Sequence, residues 1–341
     1  MSVTSKALDT TKHSEKTAEL IVKFASKVIG QPDATTALTN ALDKYDSGLY
    51  DRTKPIACLL FLGPTGTGKT VTVEAFVETL FGSPEKMFKI DCAEFQHSHE
   101  IAKLIGSPPG YLGHRETHAV LTTEKIRQMQ LNGLPFSIIL FDEIEKASDA
   151  LWNLLLGILD KGRLTLGNNE TVDLASTIII MTSNVGSKDM ADKAGDNVLG
   201  FLTPTEEDAS QESLRDTAVS AARKKFMPEF LNRLDSIVMF NTLTKDNLKE
   251  ILDLELYKLS RIILAHSIAK VSLVVTPSAK AQLLKEGYDK KYGARHLKRV
   301  VEKHVLLPLT RTMASQQLHD LDTVVVGYEK GEFHYIVEFN L

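Results

Sequence analysis

The sequence predicts an α/β fold: a parallel sheet flanked by helices, followed by a smaller α+β C-terminal domain. Three observations carry this. Continuous apolar runs over residues 58–62, 137–141 and 177–181 have strand length and no polar alternation, the mark of strands buried on both faces of a parallel sheet. Segments with apolar residues at helical spacing lie between them, and parallel strands need such crossovers. After Asn241 the pattern changes to a long amphipathic helix, a short strand, more helices and a closing hairpin.

In chain order, residues 1–13 are polar and Ser/Thr-rich and read as a flexible tail. Residues 14–27 have helical spacing and lead into Val28-Ile29-Gly30-Gln31. A second helix is expected over 33–45, and a polar linker ends at Pro55. Strands follow over 56–62, 86–91, 137–141 and 177–181, with a helix over 71–80. Residues 187–216 turn polar and acidic, so a mobile loop or short helices are expected before helical spacing resumes over 218–226. The C-terminal part should hold a helix over 245–265, a strand over 271–275, helices over 278–286 and 293–314, and hairpin strands over 323–328 and 333–339 that turn near Lys330-Gly331. The resulting division is a tail over 1–13, a large domain over 14–243 and a small domain over 244–341.

Composition narrows the function class. With 341 residues, 43% of them hydrophobic, the chain can bury more than one small core. A formal charge of −4 gives no general pull toward nucleic acid or anionic lipid. Basic runs such as Arg223-Lys224-Lys225 are short and read as solvated helix faces. No apolar run approaches the roughly 18 residues of a membrane span, and the N-terminus has neither a signal core nor an Arg-rich presequence. Cys58 and Cys92, in or ending apolar runs, read as small core residues in a reducing compartment. A cytoplasmic protein, with neither nucleic acid nor membrane as partner, is expected.

The chemistry begins where the first strand ends, at Gly63-Pro64-Thr65-Gly66-Thr67-Gly68-Lys69-Thr70. This is G-x-x-x-x-G-K-[ST] in its required setting of buried strand, loop and helix. Its glycines let backbone N–H groups turn inward around a phosphate, and the helix start adds orphan N–H groups and a partial positive charge. Lys69 reaches the β- and γ-phosphates, and the Thr70 hydroxyl is placed to bind Mg²⁺. The ligand is a nucleoside triphosphate.

Asp142 and Glu143 follow the strand over 137–141, at the carboxyl end of the sheet where ligands bind. Alone they would be an ordinary acidic loop. Beside a phosphate loop, Asp142 can hold Mg²⁺ directly or through water, and Glu143 can polarise the water that attacks the γ-phosphate. Asn184, after the strand over 177–181, has two readings: an amide aimed at the γ-phosphate or the water, or turn chemistry.

The order of these pieces resembles an AAA+ P-loop NTPase, and more narrowly the second ATPase module of the Clp unfoldases, over about residues 27–318. Gly63 to Thr70 matches the Walker A loop, and Leu140-Phe141-Asp142-Glu143-Ile144-Glu145-Lys146-Ala147 matches Walker B with the family's extension. Met181-Thr182-Ser183-Asn184 matches sensor 1. Phe226-Met227-Pro228-Glu229-Phe230-Leu231-Asn232-Arg233-Leu234-Asp235 matches the arginine-finger segment, and Tyr292-Gly293-Ala294-Arg295 the sensor 2 segment. The resemblance implies ATP and Mg²⁺ as cofactors, Ile29 against the adenine, Arg233 delivered by a neighbouring subunit, Arg295 reporting nucleotide state, and a homo-hexameric ring.

Gly110-Tyr111-Leu112-Gly113, after Pro108-Pro109, suits an exposed tip on a rigid stem. It resembles the Clp pore loop, where Tyr111 would grip a translocating polypeptide, and residues 96–100 resemble the smaller second loop. The His114-Arg115-Glu116-Thr117-His118 that follows departs from the family's glycine-rich pattern. With Glu116 offset from the base position of H-E-x-x-H, it is not a zinc motif. Leu199-Gly200-Phe201 lies in the acidic stretch; it resembles the tripeptide by which Clp unfoldases dock on a barrel-shaped peptidase, and the alternative reading is that it only pins the loop to the body. The resemblance implies an ATP-dependent unfoldase or remodelling chaperone; the alternatives are a regulatory ATPase subunit of a Clp-type protease complex, or an AAA+ motor acting on a dedicated protein assembly through an adaptor. A nucleic-acid motor would want Lys/Arg on its pore loops, and a scaffold without turnover would be expected to lack Glu143, Arg233 or Arg295.

Overall fold

A computed structural model describes residues 7–107, 119–130, 134–187, 204–267, 269–289 and 293–338. The chain divides into two compact units. One comprises the chain up to Leu62, Thr70–Val185 and Ser220–Met239; the other comprises Gly63–Lys69, Gly186–Val219 and Phe240–Leu341.

The first unit opens with α1 (Glu15–Ala25), whose Ser14 cap accepts from the Thr17 N–H at 3.1 Å, and α2 (Pro32–Ser47), which begins on proline and ends at left-handed Gly48. Both ends follow ordinary capping rules. Then come β1 (Ala57–Leu62), α3 (Lys69–Phe81), β2 (Phe88–Asp91), the short α4 (Ile101–Ile105), α5 (Thr123–Met129) and β3 (Ser137–Asp142). After these lie α6 (Asp149–Lys161), a small hairpin of β4 (Arg163–Thr165) and β5 (Thr171–Asp173), and β6 (Thr177–Ser183). Helix α7 (Pro204–Lys225) begins in the second unit's stretch and belongs to the first from Ser220, and α8 (Pro228–Leu231) leads to β7 (Ser236–Met239).

Five strands form one parallel sheet in the order β2-β3-β6-β1-β7. Every residue of β1 and β6 is buried, as their unbroken apolar runs require. Register sets Leu62 beside Ser183 and Phe141 beside Met181, so β1, β3 and β6 end together on one edge. Asp235 locks the β1–β7 pairing: its carboxylate accepts the Cys58 N–H at 2.8 Å and pairs with Lys44, while its own N–H donates to the Cys58 carbonyl at 2.9 Å. Cys58 and Cys92 are buried free thiols, and burial pushes both pKa values up.

The second unit holds α9 (Lys245–His266), β8 (Ser272–Val275), α10 (Pro277–Gly287), α11 (Ala294–Val301), α12 (Leu307–Ala314), β9 (Thr323–Glu329) and β10 (Glu332–Glu338). A capping box of Thr244 and Asn247 starts α9. Its buried stripe Leu248, Leu252, Leu256, Leu259 and Ile263 packs with Leu283, Leu297, Val305 and Val326 into one core. The sheet order is β10-β9-β8, with β8 parallel and β10 antiparallel to β9.

Two departures from the sequence expectation have a local cause. The polar stretch over 204–216 belongs to a 22-residue helix, α7, because good helix formers without breakers sustain a helix that has no apolar stripe of its own. The helix expected over 293–314 is interrupted by a π-turn at Glu302–Leu306. Pro308 has no N–H to offer the His304 carbonyl one turn earlier, and the Tyr335 hydroxyl donates to that oxygen at 2.9 Å instead.

Candidate functional site

The loop over 63–69 belongs to the second unit, held there by backbone approaches that only glycine allows. At Gly63 (φ +152°) a Cβ would come within 2.8 Å of the Phe240 Cβ and carbonyl. At Gly293 (φ +51°) a Cβ would lie 2.7 Å from the Gly66 carbonyl, and the Ala294 N–H donates to that same oxygen at 3.2 Å. The first turn of α11, with exposed Arg295, is thereby set against the phosphate loop. Lys69 is buried and donates to the Gly63 and Pro64 carbonyls at 2.7 and 2.9 Å; the Thr67 hydroxyl also donates to Pro64, at 2.9 Å. At Gly68 (φ +99°) an added Cβ would meet nothing within 4 Å. That open space leaves room for a phosphate beside the loop. Pro64, Thr65 and Gly66 are half-buried along the same loop.

In the first unit, the edge where β3 and β6 end gathers the acidic groups. The Thr70 hydroxyl donates to the two Asp142 carboxylate oxygens at 3.1 and 3.3 Å. On the other side the Thr182 hydroxyl donates to Asp142 Oδ1 and accepts the Glu143 N–H at 3.1 Å. Lys89 of β2 lies 3.6 Å from Asp142 Oδ2. Glu143 leaves the strand in the left-handed region (φ +56°), an uncommon conformation for a residue with a Cβ. Its carboxylate accepts from Asn184 Nδ2 at 3.4 Å and pairs with Lys146, whose pKa that hydrogen bond raises. The Asn184 N–H donates to Glu145 Oε1 at 3.2 Å. Asp142, Glu143 and Asn184 are therefore one hydrogen-bonded cluster, as the motif order implies. Hydroxyl and carboxylate oxygens at Thr70 and Asp142 form the hard donor set that suits Mg²⁺.

Arg233 has different company. Its Nε and Nη2 donate to the two Asp160 carboxylate oxygens at 2.6 and 2.7 Å, and Nη2 and Nη1 donate to the Glu229 carboxylate and carbonyl at 2.9 and 3.2 Å. These bonds raise the guanidinium pKa and hold the Asp160 carboxyl below its ordinary value. Ile29 is half-buried between α1 and α2.

Sequence reasoning missed Thr182 as a bridge and Asp160 as a partner. A hydroxyl ending an aliphatic strand was the available signal for the first; the second comes from 73 residues away and left none. Gly110, Tyr111, Leu112 and Gly113, and Leu199, Gly200 and Phe201, lie outside the described residues. So do His114 and His118.

Two family descriptions match the chain: "AAA domain (Cdc48 subfamily)" over residues 54–237, and "C-terminal, D2-small domain, of ClpB protein" over 243–326. The chain is a Clp-type AAA+ ATPase module. "ATP-dependent Clp protease ATP-binding subunit ClpC" of Staphylococcus epidermidis is 39% identical to the module over 322 residues, and its Staphylococcus aureus counterpart is equally similar. Each match takes in 94% of this chain but 38% of the relative, so the module spans about two fifths of their length. Among solved structures, a closed-state reconstruction of Hsp104 with ATPyS and FITC casein resembles it with a TM-score of 0.78 at 32% identity, over 96% of this chain and 53% of the other. The extended Saccharomyces cerevisiae Hsp104:casein complex follows with 0.77 at 33%, over 93% and 51%. As an AAA+ member the module binds nucleotide. Among its described residues no helix is long and apolar enough to cross a membrane.

Proposed function

We propose that this module hydrolyses ATP with Mg²⁺ at the boundaries of a homo-hexameric ring and uses the energy to draw a polypeptide through the central pore. The hydrogen-bonded cluster of Thr70, Asp142, Glu143 and Asn184 at one sheet edge carries the reading. The loop from Gly63 to Gly68 would cradle the phosphates, Lys69 would turn from its own loop carbonyls to the β- and γ-oxygens, and Ile29 would line the adenine side. Thr70 and Asp142 would hold Mg²⁺. That ion would supply charge neutralisation at the phosphate oxygens.

Glu143 takes the proton of the attacking water, oriented by Asn184. A guanidinium fork answers the charge that spreads over the γ-phosphoryl oxygens; Arg233 of one subunit serves the site of the next, and Arg295 acts from the small domain. The functional division is a large domain over 14–243 and a small one over 244–341, after the tail over 1–13. The substrate is polypeptide, gripped by Tyr111 within Gly110-Tyr111-Leu112-Gly113. The ClpC relatives are named as subunits of a Clp protease, which favours a second reading in which Leu199-Gly200-Phe201 docks a peptidase, or an adaptor joins the ring to its client. Two buried thiols kept free fit a reducing, cytoplasmic setting.

Glu143→Gln tests the core of this. The variant should bind ATP as the wild type does, lose at least about 100-fold in turnover, and retain polypeptide in pull-downs from a native extract. Wild-type turnover by Glu143→Gln would overturn the role of Glu143.

A further inference from the structure

We infer that Thr182 is a positioning residue for hydrolysis, one hydroxyl that sets both acidic groups of the site; the inference deepens the ATPase reading and rests on it. Thr182 is 1% exposed and is the first polar side chain after the aliphatic run of β6. It stands on the strand between β1 and β3, opposite Phe61 in register. A threonine hydroxyl has one proton to give and lone pairs to receive with. Here the proton goes to Asp142 Oδ1, and a lone pair takes the Glu143 N–H at 3.1 Å.

Each bond solves a separate problem. Asp142 Oδ1 also accepts from Thr70 at 3.1 Å. Two hydroxyls, Thr70 and Thr182, thus bracket one carboxylate and fix the direction in which its remaining lone pairs point. Glu143 leaves β3 with φ +56°, and its N–H donates to the Thr182 side chain. Without the Thr182 oxygen that N–H would lose the partner which holds the left-handed turn, and with it the aim of the Glu143 side chain toward Asn184 Nδ2 at 3.4 Å. Thr182 acts through its neighbours, so its effect belongs in turnover and in metal dependence, more than in nucleotide affinity.

A buried hydroxyl with a purely structural role would alter stability alone, and the test separates the two. Thr182→Val keeps the β-branched shape and removes both hydrogen bonds; Thr182→Ser keeps the oxygen. With the full chain, we expect Thr182→Val to lower kcat for ATP by about 10- to 100-fold, the usual effect of removing a group that orients a metal-binding carboxylate, with KM for ATP changed by less than about threefold. The Mg²⁺ midpoint for tightening of a fluorescent ADP analogue should move up by a similar factor, while binding in EDTA stays put. Thr182→Ser should return both values to near wild type.

Wild-type kcat and Mg²⁺ midpoint in Thr182→Val would overturn the inference, as would equal losses in Thr182→Ser and Thr182→Val. If the wild-type chain itself shows no turnover, the ATPase reading fails, and the Mg²⁺ midpoint still decides the case for Thr182. Should Thr182→Val not fold, Thr182→Ala removes the same oxygen in a smaller side chain, and the same comparison against Thr182→Ser applies.

Discussion

The sheet edge at Asp142 and the turn at Arg233 carry charges of opposite sign, and their side chains are engaged in opposite ways. Asp142, Glu143 and Asn184 are tied to one another and to Thr70 within the chain. That group is aimed before any ligand or partner arrives, as electrostatic preorganisation requires. Arg233 instead spends its guanidinium on Asp160 and Glu229 of its own chain. In the proposed role it would exchange some of those partners to face a phosphate. On the proposed reading, the carboxylate half is complete in a single chain, and Arg233 is the part that assembly would deliver.

Breaking the cationic half should have the larger effect. Arg233→Ala is expected to bind nucleotide normally and to lose turnover by about 10³-fold or more, the scale of an arginine finger. Mixing Arg233→Ala chains with Glu143→Gln chains should restore part of the activity, because some boundaries then join an intact carboxylate to an intact guanidinium. Unimpaired Arg233→Ala, or inert mixtures, would contradict delivery in trans.

Asp160→Asn sharpens the comparison with a smaller effect. It removes the charge that holds the guanidinium while leaving a neutral acceptor in place. The pair is solvent-exposed on the Asp160 side, and exposed ion pairs are weak. Turnover at limiting protein concentration should rise by no more than a few-fold, with the plateau at high concentration unchanged. A loss comparable to that of Arg233→Ala would instead make Asp160 an aligner of the finger.

The legible parts of the molecule were those that a local pattern specifies. The run of β1 into Gly63, the aliphatic β3 ending at Asp142 and β6 ending at Asn184 each carry their burial and their chemistry within a few residues. Helix α7 was not legible over 204–216, because a polar helix without a stripe shows no period to read. The π-turn before Pro308 needed Tyr335, which approaches from β10. Thr182 and Asp160 owe their roles to side chains brought together by the sheet and by the turn after α8, and pairings over such distances have no signature in one sequence. The glycines divide likewise. Gly63 and Gly68 are readable from the motif, whereas the close approaches that exclude a side chain at Gly63 and Gly293, to Phe240 and Gly66, are contacts that only the folded chain creates.

The central claim, that hydrolysis happens at a boundary between chains, is tested most directly by measuring ATP turnover per chain against protein concentration, with saturating ATP and Mg²⁺ and with mass measured in parallel. The account predicts near-silent monomers and a cooperative rise in specific activity as rings form. Specific activity that is high and flat down to concentrations where only monomer is present would contradict it.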